Sequence, residues 1–346
     1  MRYLSNTAPG RNLGGWFDTF DCAYNLNSYV EQGYLTLFAK APEVTLFCMG
    51  LMLFRERIYT PLAGFAFTRV DAFLDKLAEP RGISCYLPFH SSGENYLHGY
   101  LGMLGLPLEP TPYRPQKTSP VLLTQNAAAD PEIVEFIKET LQAGNTVVVT
   151  SGLVRTLADR GFKDIVEIDV LSTRCTVREF GCQTFLCAFE TFAPAQEPIL
   201  MPEVVFNTND VKQVVVGFSE HRNIPVLLEC RYHSGRLFVL SIPDDPGDLS
   251  HFPREALDLI RKRLLQDFPV RLNAPSGIGM FLYANDSFIV ESFLSTNRMI
   301  DIVIDRPGAV LTDLETGDTV SGRDEQGETI IRLQMLPSSF RVFSIG

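Results

Sequence analysis

Residues 14–50, GGWFDTFDCAYNLNSYVEQGYLTLFAKAPEVTLFCMG, decide how the chain is read. The stretch opens on a glycine- and aspartate-rich loop in which Asp18 and Asp21 stand among Trp16, Phe17, Phe20 and Tyr24. Ser28 is expected to cap a helix through SYVEQGYLTLFAKA, since Tyr29, Val30, Tyr34, Leu37 and Phe38 recur at helical spacing. Pro42 ends that helix, and VTLFCMGLMLF (44–54) follows as a nearly unbroken apolar run. A strand buried on both faces, in a parallel sheet or a barrel, has this pattern. Strand, helix and strand without further repeats make only a piece of a barrel.

Outward from this stretch the pattern changes. Residues 55–67 read as a connector punctuated by Pro61 and Gly64, and VDAFLDKLAEP (70–80) as a short amphipathic helix. From Gly82 strand and helix alternate: ISCYLPF, GENYLHGYLGMLG, PVLLTQ, DPEIVEFIKETLQAG and NTVVVTSG. In the second helix Asp130 is the expected N-cap, Pro131 takes the first position and Gly144 supplies the left-handed cap. Such βαβ repeats imply a mostly parallel, doubly wound sheet. Residues 164–206 are strand-like but irregular, an insertion or an antiparallel extension of that sheet. Strands resume in VKQVVVGF, PVLLECRY and GRLFVLSIP, and FPREALDLIRKRLLQDF (252–268) is a clear amphipathic helix. After it come only short alternating runs between turn residues, the spacing of a β-sandwich. Three regions follow: a partial (β/α) barrel at 1–65, an α/β domain at 66–268 and a sandwich at 269–346.

A length of 346 residues accommodates two or three domains. The net charge of -11 argues against a nucleic-acid partner, because phosphate binding needs clustered Lys and Arg. The 7 cysteines form no CxxC pair, which fits buried thiols in a reducing compartment and not a zinc site. The start, MRYLSNTAPGRNLGG, lacks the basic and apolar regions of a signal peptide. The run 44–54 falls short of the ~20 residues that span a bilayer. A cytoplasmic protein with no membrane partner is expected.

Several phrases carry a family resemblance. GYLGMLGLPLEPTP followed by PVLLTQNAAADPEIVEFIKETLQAGNTVVVTSG resembles a class I glutamine-amidotransferase-like (flavodoxin-like) domain. AVLTDLETGDTV and the ending LPSSFRVFSIG are similar to terminal sandwiches of many glycoside hydrolases, and YVEQGYLTLFAKAPEVTLFCMG looks like a last barrel helix and strand. In this order the three regions resemble the carboxy-terminal portion of the β-galactosidases that carry a trimerisation domain. The resemblance implies a partial TIM-barrel end, then an α/β domain serving assembly and not catalysis, then a small sandwich. It also places the family's nucleophile in the GGWFDTFD region, where the family has Glu and this chain offers Asp18 and Asp21. The general acid, on an earlier barrel strand, has no counterpart. A chain inactive alone is implied.

Glycosidases need two carboxyls about 5–9.5 Å apart, depending on stereochemical outcome. Asp18 and Asp21 are the candidate catalytic groups, and Trp16, Phe20, Tyr24 and Glu31 the candidate sugar-binding groups, aromatic faces being suited to sugar rings. Turn-capping aspartates beside core aromatics are the competing reading. His90, Glu94 and His98 recur at intervals of four, but Gly93 disfavours a helix before Glu94. Ser91 or Ser92 is therefore expected as a cap with Glu94 in the first turn, in a loop beyond a strand's carboxyl end, where open α/β sheets place ligands. The turn VVVTSGLVR offers Thr150 and Ser151 but no cysteine nucleophile, so the α/β domain reads as non-catalytic. Asp244, Asp245 and Asp248 read as an acidic turn. No cofactor or metal is expected. The expected partners are carbohydrate and either a second copy or a separate barrel subunit that covers the open strand edges. A non-enzymatic carbohydrate-binding or assembly module is the alternative.

Overall fold

The computed structural model describes every residue except 13, 21, 23, 24, 56, 117–119, 184–188, 190, 208, 210 and 221, with the backbone alone at 55. Helix α1 (Arg2–Thr7) precedes strand β1 (Gly14–Asp18), helix α2 (Leu26–Phe38) and strand β2 (Glu43–Phe47). β1 and β2 pair in parallel as a sheet of their own, with Trp16 opposite Thr45 and Asp18 opposite Phe47. Asn25, not Ser28, caps α2: its side chain accepts from the amides of Asn27 at 3.0 Å and Ser28 at 3.3 Å. A Cβ at position 33 would stand 3.2 Å from the Phe17 ring, so Gly33 lets α2 settle onto β1.

The run 44–54 is not one doubly buried strand. Only residues 43–47 are extended, their exposure alternates, and a π-helical turn occupies Leu51–Arg55. Val44 and Leu46 pack toward the helices, while Phe47, Met49, Leu53 and Phe54 point outward. The expected connector at 55–67 is also largely helix: α3 spans Tyr59–Leu74. Pro61 lies in its first turn, where the missing N–H costs no intrahelical bond.

The central sheet uses β4 (Ile83–Tyr86), β5 (Leu108–Thr111), β6 (Val121–Leu123), β7 (Thr146–Thr150), β8 (Ile168–Cys182), β9 (Thr191–Phe206), β10 (Val211–Phe218), β11 (Asn223–Tyr232) and β12 (Gly235–Leu240); β3 (Pro80–Arg81) instead joins the sandwich. Its order is β5-β4-β6-β7-β12-β11-β10-β8-β9. The first five are parallel in the doubly wound order 2-1-3-4-5. The last four are antiparallel, so 164–206 is a sheet extension and the sheet as a whole is mixed, not mostly parallel. Helices α4 (Leu97–Met103) and α7 (Arg254–Leu264) cover one face, and α5 (Ile133–Gln142) and α6 (Ser151–Thr156) the other. Glu132, not Asp130, stands at the N-cap of α5, and Pro131 lies outside the helix; the Asp130 carboxylate instead accepts from Glu132 N at 2.9 Å and is held by Arg114. Gly144 takes the left-handed φ of 85° expected of it.

The final region contains β13 (Val270–Asn273), β14 (Ile278–Tyr283), β15 (Ser287–Ser292), β16 (Arg298–Ile304), β17 (Val310–Asp313), β18 (Thr319–Ser321), β19 (Arg323–Glu325), β20 (Glu328–Met335) and β21 (Ser339–Ile345). They form facing antiparallel sheets, β13-β16-β20-β19 and β18-β17-β21-β15-β14-β3. Leu272, Ile302 and Ile331 from one sheet meet Met280, Phe288 and Phe343 from the other in a common core. The second sheet's outer face is also buried, because α2 and α3 lie on it. Phe340 is the hub there, with Tyr34 at 4.8 Å, Phe38 at 5.0 Å and Phe73 at 5.6 Å between ring centroids. The amino-terminal unit is thus seated on the sandwich through an apolar interface.

Candidate functional site

Alternation along β1 and β2 gives their two faces different fates. Phe17 joins Tyr29, Tyr59 and Met52 in a small core beneath the helices. On the opposite face Trp16, Thr45 and Phe47 are exposed. Trp16 is 65% exposed and stacks on Phe47, ring centroids 5.8 Å apart and planes 12° from parallel. Phe20 approaches the same Phe47 ring at 5.8 Å. The result is an open aromatic platform at the carboxyl ends of two parallel strands.

Asp18 lies at the edge of this platform and is only 5% exposed. Its Oδ1 accepts from Phe20 N at 2.8 Å, forming the tight turn that turns Phe20 toward Phe47. Gln32 on α2 fixes the end of the strand, its Oε1 accepting from Asp18 N at 3.3 Å and its Nε2 donating to Asp18 O at 3.5 Å. The structure therefore brings together Trp16, Asp18 and Phe20 of the expected site. Asp21 and Tyr24 fall outside the described residues. Glu31 is half-buried on α2, and its negative charge is felt at Glu291 on the sandwich. Burial raises the Glu31 carboxyl above the ordinary glutamate value. Sequence reading missed Phe47, whose place on the platform rests on cross-strand pairing, and Gln32, one helical turn before Thr36. A period-2 reading of EVTLF would have put Phe47 on the same face as Glu43 and Thr45.

The second candidate place, beyond the carboxyl ends of β4 and β6, is filled by the chain itself. α4 begins only at Leu97, and Glu94 is not in its first turn but in a loop with φ 46°. The Glu94 carboxylate accepts from Thr150 Oγ1 at 2.6 Å and Gln125 N at 2.8 Å, with Gly152 N as a further donor. Burial raises its pKa while these donors oppose the rise. Asn126 donates to Gly93 O and closes the loop over it. Ser151, at the strand-to-helix turn, is buried and accepts from Ile242 N at 3.0 Å. The crevice that usually receives a ligand thus holds a glutamate. His90 and His98 do not join Glu94, and no group of three or more potential metal ligands occurs among the described residues. Asp244 pairs with Arg174, and Asp245 caps its own turn through Gly247 N at 2.8 Å.

No helix among the described residues is long and apolar enough to cross a membrane. Of the cysteines described, Cys22, Cys85, Cys182 and Cys230 are buried, and Cys48 and Cys175 are half-buried. Burial pushes the Cys182 thiol up to about 12, which keeps it protonated and inert.

Family models match in three consecutive pieces: "probable glycosyl hydrolase, catalytic domain" over residues 1–75, "uncharacterized protein SSO3021, second domain" over 78–245, and "probable glycosyl hydrolase, C-terminal domain" over 269–345. No curated protein matches by sequence. Among solved structures, a β-galactosidase from Bacillus circulans sp. alkalophilus aligns with TM-score 0.56 and 13% identity over 92% of this chain and 52% of its own. An α-L-fucosidase isoenzyme 2 from Paenibacillus thiaminolyticus gives 0.55 and 11%, covering 90% and 56%. A cold-adapted β-galactosidase from Rahnella sp. R3 gives 0.53 and 12%, covering 90% and 51%. The chain spans about half the length of these structures, 51–56%. The two ends of the chain match models described as probable glycosyl hydrolase domains, and along most of its length the chain shares the fold of these solved structures.

Proposed function

We propose that this chain is the carboxy-terminal part of a β-galactosidase-like glycoside hydrolase, with the platform of Trp16, Phe47 and Phe20 as its share of a sugar site. The carrying observation is the exposed Trp16–Phe47 stack beside Asp18 on an uncovered sheet face. A large exposed aromatic surface costs solubility unless a ligand or partner uses it, and flat rings pack against the apolar faces of pyranoses. Residues 1–75 then form a partial barrel end whose inner face is the platform. A break between α3 and β4 suits this division better than one at residue 65, which falls inside α3.

Hydrolysis would need a second carboxyl across the sugar, and Asp18 and Asp21 are the candidates on this side. Asp18 is committed to its turn, so its first role is to position Phe20. The open edges of β1 and β2 and the outward Met49, Leu53 and Phe54 support docking to further barrel strands, from a separate subunit or a second copy. The α/β domain, its ligand crevice plugged by Glu94, serves assembly in this reading. An assembly or carbohydrate-binding module without turnover is the neighbouring reading, favoured by those same open edges.

A glycan-binding panel run beside nitrophenyl glycoside hydrolysis tests both. Galactoside binding lost in Trp16→Ala, without turnover by the chain alone, is the expected result. Binding indifferent to Trp16→Ala and Phe47→Ala removes the platform from the site. Turnover by the isolated chain, abolished by Asp18→Asn or Asp21→Asn, would make it an enzyme in its own right.

A further inference from the structure

Where α2 crosses the six-stranded sheet, β15 carries one acid in an otherwise apolar row. Glu291 follows Ile289 on the face that meets Tyr34, Phe38 and Phe340. It is 2% exposed, and its Oε2 has no hydrogen-bond partner. An isolated carboxylate in such a place is strongly disfavoured, so the group stays protonated. Burial, with the charge of Glu31 added, raises Glu291 well above the ordinary glutamate value.

Among the described residues, the nearby arginines are each held by another acid. From α2 come Glu31 and Tyr34; from β14 comes Tyr283, whose hydroxyl donates to Phe38 O at 2.8 Å. Arg69 of α3 is held by Glu315 at 2.7 Å and stacks on Phe340. Arg341 of β21 pairs with Asp313 at 2.8 Å, and Arg2 with Glu109 at 2.9 Å. Beside this junction lies a cavity of about 770 Å³ walled by Phe38, Phe281, Phe293 and Tyr283. Its wall also carries Arg2, Arg81 and Glu109, the Met1 amino terminus, and His98, which burial lowers to about 4 and so keeps neutral; of the unpartnered groups here, His98 Nε2 and Glu291 Oε2, Glu291 is the acid.

We propose that Glu291 and Glu31 form an acid latch, in which a proton held on Glu291 keeps the α2–α3 unit seated on the sandwich and its release to water loosens that seat. The sign follows from linkage. Above the ordinary glutamate value the docked state binds a proton that the undocked state has given up. Docking therefore weakens as pH rises from that value to the raised one, by up to about tenfold per pH unit, and then levels off. The latch couples the position of the aromatic platform to pH through residues far from it in sequence.

Limited trypsin cleavage at Lys40 and Arg69 of the full chain, normalised at each pH to a small unstructured substrate, reads the undocked fraction. Wild-type cleavage should rise with pH and then level off. Glu291→Gln, a neutral isostere, should stay docked with slow cleavage that rises with pH far less than in the wild type, the remaining rise coming from Glu31. Glu31→Gln should end the rise at a lower pH, because removing the neighbouring charge lowers the Glu291 value. A wild-type profile as flat as that of Glu291→Gln overturns the latch, as does a Glu291→Gln chain that is cleaved fast at every pH.

Discussion

Replacing Phe340 by alanine should detach the amino-terminal unit while leaving the sandwich folded. Phe340 is 1% exposed and sits under α2 and α3, edge-on to Tyr34, Phe38 and Phe73, with the Arg69 guanidinium 3.9 Å from its ring centroid. Truncating a buried Phe to Ala costs about 3–5 kcal/mol, and the lost ring pairs place this site at the upper end. That loss falls on the interface and not on the sandwich core, because side chains of adjacent strand residues point to opposite faces. Amide hydrogen exchange in α2 and α3 should therefore accelerate by about a hundredfold to several thousandfold, at about 1.4 kcal/mol per tenfold. Amides of β16 and β20, on the far sheet, should change little. Phe343→Ala is the internal control: Phe343 faces Phe288 inside the sandwich at 5.6 Å, so its loss should release both regions. Acceleration below tenfold in α2 and α3, or an equal rise in β16 and β20 in the Phe340 variant, would refute the picture of a seated unit on an independently folded sandwich.

Three further outcomes are expected. Arg261→Met should lower unfolding stability by about 3–5 kcal/mol, because the buried guanidinium donates to Asp258 at 2.8 Å and to Ala274 O at 2.9 Å, and its loss leaves Asp258 without that partner. Adding Asp258→Asn should recover part of the loss in a denaturant titration. Glu94→Ala should cost about 1–3 kcal/mol in the melting transition, by stranding the buried Thr150 hydroxyl together with Gln125 N. Gly102→Ala should stabilise by about 0.5–1 kcal/mol, since a Cβ there meets nothing within 4 Å and helical glycine is entropically costly.

What the sequence disclosed was what short-range chemistry controls. VKQVVVGF is β10 residue for residue, and Gly144 takes the left-handed conformation expected after α5. The sandwich was legible because turn residues separate short alternating runs. Errors arose where one local rule masked another. The apolar run 44–54 suggested burial on both faces, yet its outward side chains form open surface, and hydropathy cannot tell an uncovered apolar face from a buried one. Pro61 suggested a connector, although proline is well tolerated in a helix's first turn. Ser28 drew the cap from Asn25 because both residue types cap, and only geometry separates positions three apart. Of the candidate site, Trp16, Asp18 and Phe20 were visible, while Phe47 needed the β1–β2 register. Glu291 and Glu31 lie 260 positions apart, and nothing in the local pattern of either joins them.

A parallel pair of strands is an unusual structure to leave alone. Isolated two-stranded sheets are marginal, and parallel sheets are normally covered on both faces. Here one face is covered, and covered well: Gly33 admits α2 against Phe17, and the Phe340 cluster fixes α2 and α3 to the sandwich. The other face carries Trp16, Phe47 and Phe20, with Met49, Leu53 and Phe54 beyond it. The helices and the sandwich together support this pair of strands from the opposite side. That division of labour suits a unit that presents a surface, with the Asp18 turn and the Gln32 clasp setting the rings.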